Sequence, residues 1–164
     1  MNIMKLNLFA VLALAVASMM LVSCGDDDLP TSDFDYDFHS AYDGDHPDDL
    51  TATMTVTELE SGNSMITVEL TNTVDGETYP MHAHDKADAS TTPNGTPYNE
   101  SPNAAVFATS VTGNGGTASV SAETTMTYTE ITSTYDGFFV VHDPLQAVNT
   151  ADVTTYVVLG DFAR

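Results

Sequence analysis

A chain of 164 residues that carries 24 acidic side chains against 3 basic ones has a formal net charge of -21. That balance argues against duplex DNA or RNA as a partner, because a polyanion is repelled by a surface of its own sign. The length allows one domain around one hydrophobic core and leaves little for a second, and with 42% hydrophobic residues the acidity does not imply general disorder.

Residues 1–23 read as a secretory signal, with Lys5 as the positive start and an apolar stretch from Leu6 to Val22. The stretch ends in Leu21-Val22-Ser23-Cys24, which resembles the lipobox of bacterial lipoproteins. In that family, cleavage leaves a lipid-modified cysteine as the new N-terminus. The resemblance implies that Cys24 is the lipidation site and that acyl chains, not a spanning helix, attach the protein to the membrane. Gly25 and the run Asp26-Asp27-Asp28 are similar to outer-membrane lipoprotein tags, with the domain in the periplasm or on the cell surface. Cys24 is the single cysteine, so a lipidated chain has no thiol left for disulfides, redox catalysis or thiolate ligation.

The next stretch, 24–49, is predicted to be an acidic tether: ten aspartates lie between Gly25 and Asp49, with Pro30, Gly44 and Pro47 and no helical apolar repeat. Within it Phe34, Tyr36 and Phe38 alternate with Asp33, Asp35 and Asp37, a period-two pattern that also suits an edge strand.

From Leu50 onward threonine, valine and tyrosine dominate, and the domain is placed at 50–164. Ala52, Met54 and Val56 alternate with threonines. Gly62-Asn63 makes a turn, after which Ile66, Val68 and Leu70 alternate with polar residues, so the two runs form a hairpin. A turn at Asp75-Gly76 leads to the strand Tyr79 to His84. A Pro/Asn/Thr-rich loop from Asp85 to Asn103 follows, long enough to suspect function. Further strands are expected at Val106 to Val111, Thr117 to Thr127, Phe138 to His142 and Val153 to Phe162. About seven antiparallel strands predict an all-β Greek-key sandwich.

Five histidines follow the signal: His39 and His46 in the acidic segment, then His82, His84 and His142. Residues i and i+2 of a strand share a face, so His82 and His84 present two imidazoles side by side. His142 ends an apolar strand that a Greek-key crossover can bring beside theirs. Imidazole suits copper or zinc. Asp85 and Asp88 follow the pair closely enough to bind a metal or to accept a histidine N–H. Met81 adjoins His82, and Lys86 is the one cation near the pair. No role is assigned to Tyr128, Tyr135 or Tyr156.

The order of a hairpin, a His-x-His strand (His82-Ala83-His84), a long loop, a late Val140-Val141-His142 strand and a closing apolar strand resembles the copper/zinc superoxide dismutase superfamily. By that resemblance His82, His84 and His142 match three of the four copper-ligand histidines, and the cofactor is copper. No histidine lies between Asp85 and Val141, so the family's bridging and zinc-site histidines have no counterpart and zinc is the lesser expectation. Near the last strand Val153 or Thr154 stands where the family has its active-site arginine. The implied activity is copper binding with weak or no dismutase turnover. The sequence also resembles the bacterial CHRD domain, through its His-x-His strand and late strand ending in histidine. That resemblance implies a non-enzymatic surface or adhesion module whose protein partner the sequence does not identify.

Overall fold

A computed structural model describes residues 28–47, 49–92 and 96–164. The signal-like run and Cys24 lie outside the described residues. Nine strands follow in order: β1 (Thr31–Tyr36), β2 (Thr51–Glu58), β3 (Ser64–Thr71), β4 (Thr78–Lys86), β5 (Tyr98–Pro102), β6 (Ala108–Thr112), β7 (Ala118–Thr124), β8 (Gly137–His142) and β9 (Tyr156–Asp161). A π-helical turn, Glu130–Thr134, precedes β8, and a 3-10 turn, Val153–Thr155, precedes β9.

The strands form two antiparallel sheets, β1-β2-β3-β7 and β5-β4-β8-β9, with β6 also paired to β4. β3 lies beside β7 although β4 to β6 belong to the opposite sheet, and β4 lies beside β8. These are the Greek-key crossovers that the strand rhythm implied. The hairpin read from alternation is present, with Ala52 opposite Leu70 and Val56 opposite Ile66. Gly62, at φ 83°, supplies the left-handed residue that its turn needs.

Alternation decides which side chains meet between the sheets. Ala52, Met54 and Val56 of β2 and Ile66, Val68 and Leu70 of β3 face Tyr79, Met81 and Ala83 of β4 and Phe139 and Val141 of β8 in one buried core. Each fully buried aliphatic side chain contributes about 1.5–3 kcal/mol relative to exposure. The outward threonines of β2 face water and pair across the sheet: Thr55 Oγ1 donates to Asp33 Oδ1 (2.7 Å) and Thr53 Oγ1 to Asp35 Oδ1 (2.9 Å). Those bonds show why β-branched polar residues and aspartates alternate with apolar ones here.

The edge strand that the alternation suits is present in the acidic stretch: β1 pairs with β2 along six residues at the sheet's edge, and Phe38 and Tyr42 pack on the core. Tyr36 ties it down further by donating to the Asp161 carbonyl (3.1 Å) and accepting from the Ala163 N–H (2.9 Å). The compositional boundary near Leu50 is thus not a boundary in packing, because apolar residues spaced between the aspartates are enough to dock the arm. The loop 85–103, in turn, contains β5. Its prolines and polar residues hide a strand that pairs with β4 only at His84/Pro102 and Lys86/Tyr98, across an irregular register.

Gly137 opens β8 where it passes β4. A Cβ there would lie 2.6 Å from the His84 carbonyl oxygen and 2.6 Å from Tyr135 Cζ. The substitution Gly137→Ala is therefore expected to cost about 1–3 kcal/mol, the usual range for overpacking against backbone. Urea denaturation measures it, and an unchanged midpoint would contradict the close approach.

Candidate metal centre

The outward face of the β4 sheet is not solvated like its counterpart. A second, smaller apolar cluster of Tyr98, Val140 and Tyr156, with Phe138, Val153 and Leu159 around it, covers this face. Pro80, His82 and His84 alternate with the core residues of β4, and Phe138, Val140 and His142 with those of β8. The three late histidines therefore share the covered face.

Strand register explains how they meet. His82 pairs with Val140, so His142, two residues further on, is the diagonal cross-strand neighbour of His82. The His82 and His142 ring centroids are 5.1 Å apart, and those of His82 and His84 are 6.0 Å apart. One ligand atom from each of the three lies within 4.8 Å of the others. His142 Nε2 and His82 Nδ1 stand 3.3 Å apart, close to the edge of about 3.3–3.5 Å that two nitrogens span around an ion at roughly 2.05 Å. His84 and His142 are buried, whereas His82 is half-buried and opens to solvent.

A backbone carbonyl orients one ring. His84 Nδ1 lies 2.7 Å from the Asn99 carbonyl oxygen. The carbonyl can only accept, so Nδ1 carries the proton and the Nε2 lone pair is left free. That Nε2 is buried and has no hydrogen-bond partner, and His142 Nδ1 is in the same condition. Buried unsatisfied nitrogens are costly and rare, and an ion would satisfy the one on His84. This donor set fits a metal.

A bulge completes the walls. Val141 pairs with Val158 but His142 with Tyr156, so Val157 is the extra residue and joins Val158 in the core. The shift turns Tyr156 onto the histidine face, where its ring meets that of His142 edge-on at 4.7 Å. Tyr98, carried in by β5, lies 5.2 Å from the His84 ring.

Electrostatics keep the imidazoles neutral. Burial lowers the pKa of His82, and His84 adds to the effect. Burial also lowers that of His84, against the upward pull of the Asn99 carbonyl and Asp85. Burial, with His82 and His84 adding, pushes His142 down to about 3. Neutral imidazole is the form that ligates metal.

The other expected participants are engaged elsewhere. Asp85 Oδ1 accepts from Asn103 Nδ2 (2.8 Å) and from the Tyr135 hydroxyl (2.9 Å), so it braces the loop and not a histidine. Asp88 accepts from the N–H and hydroxyl of Ser90, as a turn residue does. Met81 faces the core on the opposite side of β4 from His82. Lys86 pairs with Asp136 at 3.0 Å on the exposed surface. His39 contacts the Tyr156 carbonyl through Nδ1 (3.3 Å), and His46 is buried between the Tyr79 hydroxyl and the Pro47 carbonyl, both at 2.8 Å. Neither belongs to the cluster. Sequence reasoning missed the Asn99 carbonyl, which no side-chain pattern signals, and the two tyrosine walls, of which only Tyr156 had a visible signal, at the start of an apolar strand.

Fold and site together define an all-β, two-sheet antiparallel sandwich with a three-histidine cluster that could hold a metal ion. No family model, no curated protein and no solved structure matches the chain.

Proposed function

We propose that this protein is a lipid-anchored lipoprotein of the bacterial cell envelope whose sandwich binds one copper ion through His82, His84 and His142. The observation that carries the reading is the gathering of three imidazole ligand atoms within 4.8 Å, with His84 Nε2 buried and unpartnered. Copper, when bound, supplies a Lewis-acid and one-electron centre. The chain's own residues do the rest. Asn99 holds the His84 ring, Tyr98, Tyr156 and Val140 keep water from two of the ligands, and His82 stays open to solvent.

The resemblance to the superoxide dismutase superfamily supports copper over zinc. Weak or absent dismutase turnover follows from the missing arginine and from the disposition of the cations: Lys86 is ion-paired, and the Arg164 guanidinium donates to the Ile131, Tyr135 and Ala163 carbonyls. Neither described cation is thus engaged at the three histidines to draw in an anionic substrate. Attachment through lipid on Cys24, at the outer membrane, rests on the lipobox-like run.

Copper and zinc titration of the purified protein, followed by metal analysis and thermal melts, tests the reading. One copper per chain is expected, with a melting temperature that climbs with free copper, because a ligand bound only by the fold stabilises it by mass action. If no metal is retained and the melt is unmoved, the copper reading falls and the non-enzymatic surface module takes its place.

A further inference from the structure

We infer that the site takes copper in its monovalent state in preference to divalent copper or zinc. This rests on the metal reading above and specifies the ion. The cluster is made of histidines alone, with no carboxylate among its described members. The two acids nearest in sequence are committed to other donors: Asp85 to Asn103 and Tyr135, and Asp143 to the Tyr42 hydroxyl, the Leu145 N–H and Gln146 Nε2. Three neutral donors bring no formal charge of their own to the ion, and Asp85 acts on His84 only from outside the cluster.

Burial makes the ion's own charge decisive. The cost of moving an ion from water into a poorly polar environment grows with the square of its charge, so a divalent ion costs about four times as much as a monovalent one of equal size. Two of the three rings are essentially inaccessible, and the wall beside them is Tyr98, Val140 and Tyr156. A carboxylate or thiolate ligand would offset the second charge, but the cluster contains neither.

Coordination number points the same way. Zinc takes four ligands and divalent copper favours four or more, so either must recruit water. Monovalent copper is satisfied by two or three. The half-buried His82 is the ring nearest to solvent, and His84 and His142 lie behind it on the buried side.

Anaerobic titration of the purified full chain with monovalent copper under reductant, in competition with a chromogenic cuprous chelator, measures the first affinity. Parallel titrations with divalent copper and zinc measure the others. The expected result is one monovalent copper per chain, bound at least about 100-fold more tightly than divalent copper. At 59 mV per tenfold for a one-electron couple, this raises the potential of bound copper by about 120 mV over the hydrated ion. Divalent copper or zinc bound as tightly as monovalent copper would overturn the inference while leaving the metal reading intact. Retention of no metal in any state would overturn both.

Discussion

Replacing His84 with alanine lowers affinity for the bound metal by about 100-fold or more while the sandwich persists. His84 contributes one of three donors, and its ring is held ready by the Asn99 carbonyl at 2.7 Å. Loss of an orienting outer partner alone typically costs 10–100-fold in metal affinity, and here the donor goes with its orientation. Two points separate this from general unfolding. His84 lies on the outer face of β4, away from the main core, so the far-UV spectrum should be retained. Asp88→Ala, in the loop that follows β4 but turned back on Ser90, should bind as the parent does. Equilibrium dialysis with copper reads both variants. Parental affinity in His84→Ala would remove this residue from the site.

The second large effect is acid destabilisation of the metal-free protein. An unfolded histidine titrates near 6.5, whereas burial holds folded His142 down at about 3. Between those values the unfolded chain binds a proton that the fold does not, so the unfolding free energy rises with pH across this window and falls as pH drops. Stability from the neutral ring is complete above about pH 7. At pH 5 roughly 2 kcal/mol of it is gone from His142 alone, and the lowered values of His82 and His84 act in the same direction. The acids with lowered values, Asp88 and Glu130, lose their contribution only as the pH falls into the carboxylate range, so the window from 7.5 to 5 isolates the imidazoles. Urea unfolding at the two pH values measures the loss, and His142→Gln should flatten it. Equal stability at pH 7.5 and pH 5 would contradict the buried neutral cluster.

Much of this architecture could be read locally. Ala52-Met54-Val56 and Ile66-Val68-Leu70 alternate, and a pleated strand sends alternate side chains to opposite faces, so their hairpin and its buried face needed no partner to be recognised. The same rule places His82 and His84 together and turns Met81 into the core between them and Tyr79. Applied strictly, it also turns Asp85 away from the pair, which is where its bonds to Asn103 and Tyr135 put it.

The sequence by itself determined the all-β class, the strand rhythm and the shared face of His82 and His84, because each follows from a backbone period of two within a few residues. Only the tertiary structure decided that His142 joins them, that a bulge at Val157 brings Tyr156 over its ring, that β5 carries Tyr98 and the Asn99 carbonyl to His84, and that the acidic arm docks through Tyr36. Those outcomes depend on which strands pair and in what register. Registers between distant segments are set by the packing of the whole core, which no local pattern encodes.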